Sequence, residues 1–203
     1  SPEIQDYVNL EIPQQVQTEK GQAITRMVDP YSYRKNLDMP KMLFMGTNDP
    51  YWPVDAVKNY LDSIPGQNFI HYVPNVGHDL GDAKQALAAL SAFYGFTIND
   101  KTHPQCKWKV EVESDKVVLS VTPEEKQLVD AVLWTSVSED RDFRNDPWTS
   151  KGLNANKSSL VTVEELYTNS GFKAFYIDLI YKDVNGDKFS ESTRIFVMDE
   201  DEV

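Results

Sequence analysis

The stretch "MLFMGTNDPYW", Met42 to Trp52, decides how the chain is read. An apolar run stops at Gly46, and an acid, a proline and two aromatic rings follow at once. A short apolar run ended by glycine reads as a buried strand, here Lys41 to Met45. Beyond it, Val54, Val57, Leu61 and Ile64 recur at spacings of three and four. This predicts a helix over 54–64, stopped by Pro65-Gly66. "NFIHYVPN" (68–75) is strand-like, and "DAKQALAALSAFYGF" (82–96) is helical, with Gly95 at its end. Strand, helix, strand and helix in fewer than sixty residues imply parallel strands with crossover helices.

Outward from this core the pattern changes. Ser1 to Leu37 is polar, with short helices hinted at around Ile4–Ile12 and Gln14–Ile24. It reads as a connector or lid-like segment. After Asn99 the period becomes two, with "KWKVEVES" (107–114), "KVVLSVTP" (116–123) and "LVDAVLWTSVS" (128–138) all β-rich. The segment 171–199 reads as two long strands around Asn185-Gly186, a two-residue hairpin signal. Short strands at this density predict an antiparallel, immunoglobulin-like sandwich. The expected organisation is therefore an α/β portion over 1–100 and a β-sandwich domain over 101–203; the resemblance given below implies that the first is the C-terminal part of an α/β-hydrolase domain. The acidic end "DEDEV" reads as a solvated tail.

The totals exclude some functions. A net charge of −12 repels nucleic-acid phosphates and anionic membranes. No apolar run approaches the ~20 residues of a membrane-spanning helix. The one cysteine, Cys106, rules out an internal disulfide.

In open parallel sheets, ligands meet the carboxyl ends of the strands. Asp49 follows one such end, and His78, in "YVPNVGHDLGD", follows the next. Adjacent parallel strands bring their loops together. A carboxylate beside an imidazole is the orienting half of a nucleophilic triad: the acid holds the ring's tautomer, and the ring takes a proton from a nucleophile. The order acid, helix, strand, histidine is that of the closing segment of an α/β-hydrolase. Read singly, Asp49 is also an ordinary turn residue before Pro50, and His78 an ordinary loop residue. Tyr51 and Trp52 either wall the site as substrate-binding residues or pack on the following helix.

Three other patterns carry less. "DVNGDKFSE" (183–191) has alternating oxygen ligands but the glycine spacing of a hairpin, not of a calcium loop. His103 and Cys106 lack the second pair a zinc site needs. "EDRDFRND" (139–146) either pins a long loop through Arg–carboxylate pairs or contacts a partner. No cofactor or metal is implied.

"DPYSYRKNLDMPKMLFMGTNDPYWPVDAVKNYLDSIPG", "YVPNVGHDLGD", "VLWTSVSEDRDFRNDPW" and "GFKAFYIDLIY" together resemble the PhoPQ-activated pathogenicity-related proteins, a family that includes the autocrine proliferation repressor proteins. The resemblance covers nearly the whole chain. It implies an α/β-hydrolase-like, secreted or envelope-associated protein with Asp49 as triad acid and His78 as triad base. One element departs from the family pattern: no G-x-S-x-G elbow occurs in these residues. The chain is therefore expected to be the C-terminal part of a serine-hydrolase-like protein, inactive without an upstream nucleophile. Its expected partners are that upstream part, a small ester or amide substrate and, through the β-domain, another protein. The rival expectation is a non-catalytic signalling or binding protein of hydrolase descent.

Overall fold

The computed structural model describes residues 2–200 and 203. Asp201 and Glu202, in the acidic end, lie outside the described residues. Three short helices open the chain: α1 (Gln5–Asn9), α2 (Ile12–Gln15) and α3 (Glu19–Val28). Thr18 caps α3, its hydroxyl accepting from the Gly21 amide at 3.1 Å. None of the three contributes a buried residue.

β1 (Lys41–Gly46) and β2 (Asn68–Val73) pair in parallel, from Lys41 opposite Asn68 to Gly46 opposite Val73. β2 is the inner strand, buried from Phe69 to Val73. The other edge of β1 has no strand partner among the described residues. α4 (Lys84–Ile98) packs over the pair. It turns Ala86, Ala89, Ala92 and Phe96 inward, while Leu87, Leu90, Tyr94 and Ile98 remain exposed.

The remaining strands are all antiparallel. One sheet joins β3 (Lys107–Val112), β4 (Lys116–Thr122) and β7 (Val161–Leu166). The other runs β10 (Phe196–Met198), β8 (Phe172–Lys182), β5 (Asp130–Ser138), β6 (Thr149–Gly152). β9 (Lys188–Ser192) also pairs with β8, beyond the stretch that β10 covers. The inner faces of both sheets share one core, with Val117, Leu119 and Val121 on one side and Phe175, Ile177 and Leu179 on the other.

The expectation of an α/β-hydrolase portion is overturned. The chain is mostly antiparallel β-sheet with few helices. Its parallel sheet has two strands, and no clear α/β-hydrolase core is present among the described residues. The segment predicted as a helix over 54–64 is instead two single 3-10 turns, Ala56–Asn59 and Leu61–Ser63. Val57 and Leu61 are buried there as the apolar spacing requires, and that spacing suits two tight turns as well as a helix. β-branched Val54 and Val57, with Asn59, Asp62 and Ser63, are weak helix formers. Tyr60, at φ −138°, breaks the run between the turns.

The parallel pair is fixed to the sandwich along β2 and β9. Ser192 Oγ accepts from the Tyr72 amide at 3.1 Å and donates to Asp178 Oδ1 at 2.6 Å. Trp134 Nε1 donates to Asp178 Oδ2 at 3.0 Å. Burial pushes the Asp178 carboxyl up to about 7, against the smaller downward pull of these two bonds. One residue before Tyr72, His71 Nδ1 lies 3.2 Å from both the Ser190 carbonyl and its hydroxyl. Burial pushes that imidazole down to about 4, so His71 is neutral at physiological pH.

Candidate functional site

Asp49 and His78 meet where the two parallel strands end. Gly46 makes this possible. A Cβ there would lie 2.2 Å from the Gly77 carbonyl oxygen and 2.5 Å from that of Val76. The end of β1 therefore touches the loop that carries His78, and Asn48 N donates to Val76 O at 2.9 Å. That loop is tightly wound. Asn75, Leu80 and Ala83 take positive φ near 60°, as does Gly81. Left-handed backbone costs an ordinary residue roughly 1–2 kcal/mol, so the surrounding bonds must hold the loop in shape.

His78 Nδ1 lies 2.7 Å from Asp49 Oδ2, while Asp49 Oδ1 accepts from the Tyr51 amide at 2.8 Å. Asp49 is thus both the turn residue and the partner of the imidazole. Its side chain is 11% exposed and that of His78 62%. The carboxylate sits against the protein with the ring standing in front of it. Among the described residues no hydroxyl or thiol reaches the ring's Nε2 edge.

Tyr51 leans on the imidazole, with ring centroids 4.9 Å apart. Trp52 is 64% exposed and stands between two small clefts that both reach Asp49. The larger, of about 280 Å³, runs from Tyr51 and Trp52 to the segment 140–144. The residues chosen from sequence therefore stand together, and the helix on which Trp52 was alternatively expected to pack is absent.

Sequence reasoning missed the groups that hold these loops. Asn48 Nδ2 donates to the carbonyls of Phe143, Arg144 and Asp146 at 2.9, 3.2 and 2.9 Å. Asn75 exchanges two bonds with the backbone of Trp148, at 2.9 and 2.7 Å. Buried Asp55 holds Lys58 at 2.7 Å and Arg141 at 2.8 Å. Burial pushes the Asp55 carboxyl up, but its bonds to these two cations together bring it below the usual value. Arg144 pairs with Asp142, so "EDRDFRND" is pinned by Arg–carboxylate pairs. Phe143 and Trp148 are buried beneath it with Tyr72, Val57 and Leu61. Asn-Asp and Val-Pro-Asn turn chemistry was the one available signal, and it marks a turn without naming the distant carbonyls.

His103 lies elsewhere, among Phe69, Phe93 and Phe96, with Nε2 3.1 Å from Thr97 Oγ1. Asp183 Oδ1 accepts from the amides of Asn185 and Asp187, each at 2.8 Å, closing the β8–β9 turn.

An Asp–His pair at the ends of a short parallel sheet, fixed to an antiparallel two-sheet unit, defines the class structurally. The chain belongs to the PhoPQ-activated pathogenicity-related protein family, whose profile matches residues 1–144. It is also 24% identical over 202 residues to "Autocrine proliferation repressor protein A" of Dictyostelium discoideum. That match takes in 88% of this chain and 39% of the relative, so the chain spans about two-fifths of the relative's length. Among solved structures, wild-type OgpA from Akkermansia muciniphila aligns over 91% of this chain and 52% of its own, at 13% identity and a TM-score of 0.29. The structural-genomics target SoR45 aligns over 48% and 83%, at 9% identity and a TM-score of 0.28. At these scores neither carries an argument. No helix among the described residues is long and apolar enough to cross a membrane.

Proposed function

We propose that this chain supplies the acid and base of a nucleophilic triad for acyl transfer on an ester or amide, in a secreted or envelope protein. The observation that carries the reading is the 2.7 Å bond between His78 Nδ1 and Asp49 Oδ2, with the rest of the ring open to solvent. With Nδ1–H donated to the carboxylate, Nε2 keeps its lone pair and points away from the acid. His78 is then the general base: Nε2 takes the proton of an attacking hydroxyl and returns it to the leaving group. Asp49 fixes the tautomer and stabilises the imidazolium as it forms. Tyr51 and Trp52 bound the substrate side. The nucleophile and the oxyanion donors come from polypeptide outside these 203 residues.

The test is hydrolysis of an activated ester, with labelling by a serine-directed phosphonate. The 203-residue chain should show neither above background. The polypeptide encoded by the complete gene should show both, and His78→Ala should abolish its turnover. Strong phosphonate labelling of the isolated chain would place the nucleophile within it and refute the assignment.

A second reading is favoured by the matched relative's name, a proliferation repressor. Here the chain is a signalling or binding module whose β-sandwich meets another protein. Full biological effect retained by His78→Ala would select this reading.

A further inference from the structure

We propose that the loop Glu139–Trp148 of the sandwich is the brace that sets the Asp49–His78 geometry, with Asn48 and Asn75 as its positioning residues. The proposal rests on the acid–base reading for its functional meaning, though not for its test.

Asn48 directly precedes Asp49, and Asn75 stands three residues before His78. Both amides reach across to the same loop rather than to each other's backbone. The Asn48 amide group spends its donors on the carbonyls of Phe143, Arg144 and Asp146. The Asn75 amide forms a two-bond clasp with Trp148. The two are also joined beneath the pair: Thr47 Oγ1 donates to Asn48 Oδ1 at 2.8 Å and accepts from Asn75 N at 2.8 Å. Thr47 is 1% exposed, so this link is shielded from water.

The brace loop is itself rigid. Phe143 and Trp148 are buried beneath it, and Arg141, in the left-handed region at φ 69°, is tied to buried Asp55. The exposed imidazole has only the Tyr51 ring packed against it, and Tyr51 rides on the same loop as Asp49. The direction of its Nδ1–H bond is therefore set by where the two loops are held. Groups one bond removed from a functional pair act in this way, by fixing the orientation and tautomer of the groups they support. On this account a loop of the β-sandwich is part of the site.

The readout is the tautomer of His78 in the 203-residue chain, from ring ¹⁵N shifts with the imidazole neutral. The native chain should favour Nδ1–H, the form that donates to Asp49. Asn48→Ala should lower the ratio of Nδ1–H to Nε2–H by about tenfold, the scale on which such supporting groups act. Asn75→Asp keeps the acceptor for Trp148 N and loses the donor to Trp148 O, and should give a smaller shift in the same direction. It decides the matter if Asn48→Ala does not fold. Asn156→Ala removes a comparable bond, to Val129 O at 3.0 Å, far along the chain from the pair, and should leave the ratio unchanged. An unchanged ratio in folded Asn48→Ala and Asn75→Asp overturns the brace, as does an equal shift in Asn156→Ala. If the complete polypeptide proves inactive on esters, the acid–base reading fails while this measurement stands.

Discussion

Gly46→Ala should be among the most damaging single substitutions outside the sandwich core. The added methyl would meet the Gly77 and Val76 carbonyl oxygens at 2.2 and 2.5 Å. Both are backbone atoms, so no side chain can swing aside. Roughly 1 Å of separation is needed to restore van der Waals contact. That displacement stretches the Asn48–Val76 bond from 2.9 Å and the Thr47–Asn75 bond from 2.8 Å. Overpacking of this kind costs about 1–3 kcal/mol, and each weakened bond adds about 1 kcal/mol. The sum is about 3–5 kcal/mol, or a fall in Tm of roughly 10 °C for a chain of this size. Gly77→Ala is the matched control. Its Cβ would lie 3.6 Å from Pro50 Cδ, an ordinary contact, so it should change stability by no more than about 0.5 kcal/mol. Calorimetry of the two variants reads the difference directly. Gly46→Ala melting within about 2 °C of the native chain, or Gly77→Ala melting as low as Gly46→Ala, would refute the close approach of the two loops.

Asp178 predicts an unusual pH profile. Its folded carboxyl is raised to about 7 from 3.8, so the folded state holds a proton that the unfolded chain has lost across that window. Its contribution is present below about pH 4 and is lost as pH rises towards 7, by roughly 4 kcal/mol at about 1.4 kcal/mol per unit. Asp178→Asn keeps an acceptor for Ser192 or Trp134 and removes the titration, so denaturant melts should find it gaining on the native chain between pH 4 and 8. An unaltered pH profile would contradict the burial of this group. On α4, Ala89 is fully buried and Leu87 is 59% exposed. Ala89→Leu should cost about 1–3 kcal/mol, whereas Leu87→Ala should stay within about 0.5 kcal/mol. The reverse order in urea melts would mean that the helix is rotated.

Much of the architecture near the pair was legible because it is written in local periods. The apolar run before Gly46, the run from Asn68, the alanine-rich helix and the alternating strands each form the element that their spacing predicts, though β1 is only half-buried and β3 buries no residue. The turn over Val54–Ile64 was misread because three- and four-residue spacings do not separate a helix from successive 3-10 turns. That error supported a layered α/β reading which the two-stranded sheet does not sustain. Asp49 and His78 were visible because two parallel strand ends must lie side by side. Asn48 and Asn75 were not, since their partners lie 73 to 98 residues away in sequence. Nothing local distinguishes an asparagine that closes a turn from one that reaches a distant carbonyl. Asp178 was hidden for the same reason, as its burial depends on β2 lying across β9.

The proposed acid–base role of the pair is tested most directly by a double-mutant cycle in the complete polypeptide. kcat/KM for an activated ester is measured in the native protein, Asp49→Asn, His78→Ala and the double variant. If the carboxylate acts through the ring, His78→Ala should lose at least about 10³-fold and Asp49→Asn a comparable or smaller factor, with the double variant no worse than His78→Ala alone. Losses that multiply would show that Asp49 and His78 act separately. Native turnover in His78→Ala would remove the pair from the chemistry altogether.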